Sequence, residues 1–171
     1  GGFQWESTSL TYSFPSFFSS WSSDPLTGYP LSPDQEPRSS GYFGLSSSDI
    51  AAVKTALAAW AAVSGLRFSL VSESSSLVGD LRFAYSDTVA DAQAWAYFPS
   101  STAFGGDVWF NSDGSSFDFV WTQGSYEYMT AVHEIGHALG LKHPFEVIEM
   151  GGFVINDTVI APALDSRSYT I

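Results

Sequence analysis

All three histidines of the chain lie within eleven residues, and this clustering constrains the fold more than any other feature of the sequence. His133 and His137 are four positions apart with Glu134 beside the first, and His143 follows six residues after the second. Side chains four residues apart lie on the same face of an α-helix, one turn from each other. The pattern therefore predicts a helix over residues 125–139 that presents two imidazoles to one point in space.

A third imidazole can reach that point only if the chain turns back after the helix. Gly140 permits such a turn because glycine adopts the left-handed backbone conformation at low cost, and Pro144 prevents the helix from resuming. Three neutral imidazoles leave the fourth tetrahedral position of Zn²⁺ to water, which is typical of a catalytic site. Glu134 can reach that water and is the candidate general base. We predict one zinc ion with three ligands: His133, His137 and His143.

The periodicity of apolar residues predicts a second helix and a sheet. Residues 49–64 follow capping serines and repeat apolar side chains at intervals of three and four, ending at Gly65. Alternating runs predict strands at 8–14, 66–70, 81–85, 94–98 and 107–110. Residues 15–44 are expected to be irregular, ordered by the packing of Phe17, Phe18, Trp21 and Tyr29. The expected fold is α/β, with a twisted mixed sheet of about five strands and two long helices, the second helix carrying the histidines.

Composition excludes several classes of function. The chain has 18 acidic and 6 basic residues and a formal net charge of −12, so a nucleic acid or an anionic membrane surface is not expected as a partner. It contains no cysteine, which excludes disulfides, thiolate metal ligands and cysteine nucleophiles. No run of about 18 apolar residues is present to span a membrane.

Residues 133–144 read His-Glu-Ile-Gly-His-Ala-Leu-Gly-Leu-Lys-His-Pro and resemble the extended zinc signature of the metzincin metallopeptidases. The proline after the third histidine is similar to the serralysin-like branch of bacterial secreted proteases. Residues 106–111, Gly-Asp-Val-Trp-Phe-Asn, are similar to the edge-strand motif of that branch. The opening strand, Leu10–Phe14, and the alanine-rich helix that ends with Trp60 are similar as well. The similarities at Pro144 and at residues 106–111 argue against an enzyme of another metzincin branch, which would have a different specificity pocket.

The resemblance implies a zincin-like fold and a secreted, extracellular zinc endopeptidase that leaves the bacterium by a route without disulfides. Protein or peptide substrates would lie extended between the sheet edge and the zinc helix, pairing as an added antiparallel strand. Glu134 would take a proton from the zinc-bound water and pass it to the leaving amine. A monomer is expected. The implied substrate-binding residues are Gly106, Asp107, Val108, Trp109 and Asn111.

Alternatives stay open for several of these residues and for the chain as a whole. Trp109 and Phe110 could simply pack in the sheet, and Asp107 and Asn111 could serve as turn or cap residues. The protein could also be a zinc-binding but catalytically inactive metzincin-like domain or fragment used for binding. The intact Glu134 favours the enzyme, because inactive relatives of enzymes usually lose the base.

Residues 1–171 are expected to form a single catalytic domain. Leu164–Ile171 resemble the approach to the methionine turn of the family, an apolar base beneath the metal, and the turn itself is expected just beyond Ile171. Whether these 171 residues alone are active is left open. Calcium is expected only in glycine-rich repeats outside this chain, because no calcium-loop pattern occurs within it.

Overall fold

The computed structural model describes residues 3–88, 91–113, 121–144, 147–150 and 153–156. Within these residues the chain forms eight strands and two α-helices. In chain order the elements are β1 (Ser9–Ser13), β2 (Phe43–Gly44), α1 (Ser47–Ser64), β3 (Arg67–Leu70), β4 (Leu81–Ser86), β5 (Ala94–Ala96), β6 (Val108–Asn111), α2 (Tyr126–Ala138), β7 (Ile148–Met150) and β8 (Phe153–Asn156).

The main sheet is mixed, with the strand order β3-β1-β4-β6-β5, and β2 pairs with β4 beside that path. β1 pairs in parallel with β3 and β4, and β4 pairs in parallel with β6. β5 is antiparallel to β6 and forms one edge of the sheet. The predicted α/β fold, with a mixed sheet of about five strands and two long helices, is confirmed.

Both faces of the sheet are covered, which the strand periodicity explains. Alternate residues of β4 and β6 point to opposite faces. One face packs against the two helices and forms the larger core, which includes Val53, Ala56, Leu57, Leu81, Phe83, Tyr85, Val108, Phe110, Ala131 and Ile135. The other face carries Ala84 and Trp109, which pack beneath Tyr29 and other aromatic residues of the irregular segment.

Helix α1 has the ends that the sequence predicts. The Ser46 side chain accepts from the backbone of Asp49, whose carboxylate accepts in return from the Ser46 backbone at 3.1 Å. Gly65 ends the helix with φ 75°. Ala52 and Ala56 are buried beside Val53 and Leu57, and because alanine side chains are small, the helix packs closely on its neighbours.

The predicted packing of residues 15–44 is confirmed for Trp21 and Tyr29 and is wrong for Phe17 and Phe18. Tyr29 is buried, and the Trp21 ring packs on that of Trp109 with centroids 5.6 Å apart. Phe17 and Phe18 are 84% and 90% exposed, so their predicted burial is wrong. They lie in a turn that directs both rings away from the sheet, where they contact only each other among the described aromatic residues.

The sequence does not predict β7 and β8, which among the described strands pair only with each other, antiparallel. Leu164–Ile171, which resemble the approach to the methionine turn, lie outside the described residues. Neither α1 nor α2 is long and apolar enough to cross a membrane, and the part of the chain that the structure describes holds no other helix.

Candidate metal centre

The side chains of His133, His137 and His143 meet at one point, as the sequence predicts. Their Nε2 atoms are 3.0 Å apart for the first and second, and 3.1 Å apart for each of the other two pairs. Helix α2 carries the first two histidines, and the loop after it brings the third. Among the described residues, no other group of three or more His, Cys, Asp or Glu side chains brings its ligand atoms close enough together to hold a metal ion.

The hydrogen bonding of His137 determines which of its ring nitrogens can bind a metal. Its Nδ1 lies 2.7 Å from the carbonyl oxygen of Leu141. A carbonyl can only accept, so Nδ1 carries the proton and Nε2 keeps its lone pair. That lone pair is on the side of the other two histidines. A backbone partner of this kind orients a metal-binding imidazole.

The three nitrogens fit a zinc ion in both number and spacing. Two Zn–N bonds of ~2.05 Å at a tetrahedral angle place their nitrogens ~3.3 Å apart. The observed separations of 3.0–3.1 Å are close to that value. Imidazole nitrogen is a preferred zinc ligand, and three of them leave one tetrahedral position open.

A turn built on Gly140 brings the third histidine back to the helix. Gly140 has φ 105° and donates from its backbone to the His137 carbonyl at 2.9 Å, and Leu141 donates to Gly136 at 2.9 Å. This pair of hydrogen bonds is the Schellman arrangement, which ends a helix and reverses its direction. The predicted role of Gly140 is therefore confirmed.

Glu134 lines the same cleft as the three clustered histidines, and this cleft has a volume of about 300 Å³. Its side chain is buried, and burial raises the pKa of its carboxyl group to about 7. A cation held by the histidines acts in the opposite direction, since it favours the charged carboxylate. The cleft is lined by Ala94, Trp95, Ala96, Phe98, His133, Glu134, His137 and His143.

The opposite side of α2 anchors the helix in the core. Ile135 is fully buried, and Val132 and Leu139 are half-buried against the same core. The Trp60 indole of α1 donates from Nε1 to the Val132 carbonyl at 3.0 Å. A β-carbon at Gly136 would lie 3.1 Å from that indole, so glycine allows the two helices to approach closely.

The predicted edge strand is not at the edge. Strand β6, with Val108 and Trp109, lies between β4 and β5 and pairs with both. Gly106 and Asp107 precede it and are buried. The backbone of this strand is already used by its two neighbours, so the expectation that it pairs with substrate is wrong.

The polar residues of this strand have structural partners instead. Asp107 is buried and accepts from the Tyr29 hydroxyl at 2.6 Å. Asn111 donates from its side-chain amide to the Ala92 carbonyl at 2.7 Å, and its side-chain oxygen accepts from the Asp113 backbone at 2.9 Å. These contacts fit the packing, cap and turn roles that the sequence analysis left open for the residues of this strand.

Strand β5 occupies the edge beside the three clustered histidines. The Gln93 carbonyl accepts from the Asn111 backbone at 2.8 Å, and the Tyr97 backbone donates to Asp107 at 2.9 Å. In an antiparallel ladder the intervening residues direct their backbone groups the other way. Ala94 and Ala96 therefore present theirs to the open edge, where no other described strand pairs. The sequence predicts this strand but carries no signal for its place in the sheet.

Comparison with known proteins agrees with the geometry. The profile of the matrixin family, Peptidase M10, matches residues 41–150, which include the three histidines, Glu134 and the edge strand. The chain belongs to the matrixin family. It is similar to serralysin B of Dickeya chrysanthemi, with 31% identity over 97% of this chain and 32% of that protein.

Two further relatives show the same similarity. A serralysin of Photorhabdus laumondii is 29% identical over 81% of this chain and 29% of its own length. A serralysin of Proteus mirabilis is 29% identical over 69% of this chain and 26% of its own length. This matrixin-family chain thus resembles the serralysins and spans between a quarter and a third of the length of these relatives.

Proposed function

We propose that this chain is the catalytic domain of a secreted zinc endopeptidase that hydrolyses peptide bonds in extended protein or peptide substrates. The observation that carries the proposal is the convergence of three imidazole Nε2 atoms within 3.1 Å, with Glu134 in the same cleft. The similarity to bacterial serralysins supports it. Secretion without disulfides is compatible with the lack of cysteine.

In the proposed hydrolysis the three histidines and Glu134 have different roles. His133, His137 and His143 hold the zinc ion. When bound, zinc supplies Lewis acidity, which polarises a peptide carbonyl and lowers the pKa of water at this site. Glu134 accepts a proton from the attacking water and delivers it to the leaving amine nitrogen. Its burial excludes bulk water and so strengthens its electrostatic interactions in the cleft.

We propose that substrate pairs with β5 rather than with the strand predicted from sequence. The outward backbone groups of Ala94 and Ala96 can each donate and accept a hydrogen bond with an antiparallel peptide. Such a peptide would run past the three histidines, because β5 and the metal ligands line the same cleft. Residues 106–111 then support β5 from behind.

The proposal is tested by cleavage of an unstructured protein with zinc present, with a chelator, and after zinc is restored. The Glu134→Gln variant should retain zinc and lose about 10²–10⁴-fold in kcat. Glu127→Gln makes the same chemical change two turns earlier on α2, and its activity should match that of the unsubstituted chain.

Three outcomes separate the alternatives. Cleavage that requires zinc and Glu134 establishes the peptidase. Zinc binding without cleavage supports the inactive domain or fragment that serves in binding instead. A chain that binds no zinc refutes the proposal.

A further inference from the structure

The C-terminal end of the zinc helix receives a hydrogen bond from a distant part of the chain. The last four carbonyls of an α-helix lack partners within the helix. Here the turn at residues 139–141 donates to three of them. The fourth, the carbonyl of Ala138, accepts from the indole Nε1 of Trp5 at 2.9 Å. Trp5 thus completes the hydrogen bonding of the helix end directly after the ligand His137.

The Trp5 indole is held from its other side. It packs half-buried against the main core, and a β-carbon at Gly106 would lie 2.6 Å from its ring. Gly106 precedes β6 and has φ 86°. Trp5 therefore joins the end of the zinc helix to the loop that leads into the sheet.

Phe3 contacts the same turn. A β-carbon at Gly140 would lie 2.1 Å from the Phe3 carbonyl oxygen, so the backbones approach closely there. The Phe3 ring stacks on Phe98, with centroids 5.0 Å apart and an interplanar angle of 10°. Phe98 in turn meets the His137 ring edge-on, with centroids 5.8 Å apart. We call residues 3–5 the N-terminal strap.

We infer that Trp5 is a positioning residue for the metal centre, acting through the Ala138 carbonyl. This inference rests on the proposed function only in taking zinc as the bound ion. His133 and His137 have their relative positions set by the helix itself, whereas the position of His143 depends on the turn after Ala138. Without the indole donor that carbonyl has to find water, and the turn that delivers His143 is free to shift.

A pair of tryptophan variants tests the inference. Trp5→Phe removes the indole N–H and keeps an aromatic ring. Trp60→Phe removes the other indole donor to α2, whose acceptor, the Val132 carbonyl, lies inside the helix and also has a backbone donor there. Zinc affinity is measured by competition with a chromophoric chelator, and thermal unfolding of the zinc-free proteins is measured beside it.

We expect Trp5→Phe to weaken zinc binding about 10-fold, as the loss of a partner that orients a metal site does. Trp60→Phe should change it by no more than about 2-fold, even if it lowers the unfolding temperature equally. The Co²⁺-substituted Trp5→Phe protein should show a changed visible absorption spectrum, which reports ligand geometry directly.

Equal zinc affinities and unchanged Co²⁺ spectra in the two variants would overturn the inference. If Trp5→Phe does not fold, 3-benzothienyl-alanine at position 5 replaces only the N–H by sulfur, and the same comparison is made. Failure of the unsubstituted chain to bind zinc would refute the proposed function, whereas normal zinc binding by a folded Trp5 variant refutes only the positioning role.

Discussion

An added methyl group at Gly140 should damage the candidate metal centre. The φ of 105° at this position places an alanine in a left-handed conformation, which costs about 1–2 kcal/mol. The new β-carbon would lie 2.1 Å from the Phe3 oxygen, well inside a C···O contact of ~3.3 Å. The N-terminal strap or the turn has to move by about 1 Å.

That movement puts two further contacts at risk. The Trp5 hydrogen bond to Ala138 is worth about 1 kcal/mol, and the Phe3–Phe98 stack contributes about 0.5–1.5 kcal/mol. Gly140→Ala should therefore lower the free energy of unfolding by about 3–4 kcal/mol.

Gly65 provides a matched control within the same chain. It ends α1 with φ 75°, and a β-carbon there would meet nothing within 4 Å. Gly65→Ala should cost only the conformational part, about 1–2 kcal/mol. The difference of about 2 kcal/mol between the variants isolates the close approach at Gly140.

Urea unfolding of the zinc-free proteins measures the loss of stability in each glycine variant. Thermal unfolding is a second measurement, in which ~1 kcal/mol corresponds to about 2–4 °C in Tm for a chain of this length. Zinc affinity should fall in Gly140→Ala alone, because its turn carries His143. Equal losses of stability in the two variants, with unchanged zinc affinity, would refute the reasoning.

Two other predictions concern the sheet. Burial raises the pKa of Asp107 well above its usual range, although Arg82 acts in the opposite direction. The folded state therefore binds the proton of this carboxyl group more tightly than the unfolded state does. The resulting stabilisation is present at low pH and is lost as the pH rises above the usual carboxyl range. Asp107→Asn should therefore gain stability relative to the unsubstituted chain as the pH rises above the usual carboxyl range. A difference in urea unfolding that does not change with pH would contradict this. If substrate pairs with β5, N-methylation of successive residues of a cleaved peptide should lower kcat/KM by about 5–30-fold at every second residue, because alternate backbone N–H groups of the peptide face the strand. Losses that do not alternate along the peptide would argue against strand pairing.

The metal centre could be predicted because its ligands are local in sequence. His133 and His137 need only the helical repeat, and His143 needs only a turn that Gly140 permits. Helix α1 could be predicted for the same reason, from its capping serine and Gly65. These features depend on neighbours along the chain, and the sequence displays such neighbours directly.

The position of β6 inside the sheet could not be predicted because strand order is a property of the whole sheet. Alternation along residues 107–110 predicts a strand, but nothing in it tells whether a further strand pairs outside. The same limit applies to Arg82, which an alternating pattern would turn toward solvent. It is buried, paired with Glu73 at 2.8 Å and stacked 3.7 Å from the Trp21 ring, because the irregular segment covers that face.

The sequence by itself determined the two helices, most strands and the candidate metal ligands and base, since each is encoded by spacing within about twenty residues. Only the tertiary structure decided that β5 is the edge beside the metal and that Trp5 completes the zinc helix, more than a hundred residues away. Contacts of that range are settled by which surfaces can be buried together and which polar groups must find partners once buried.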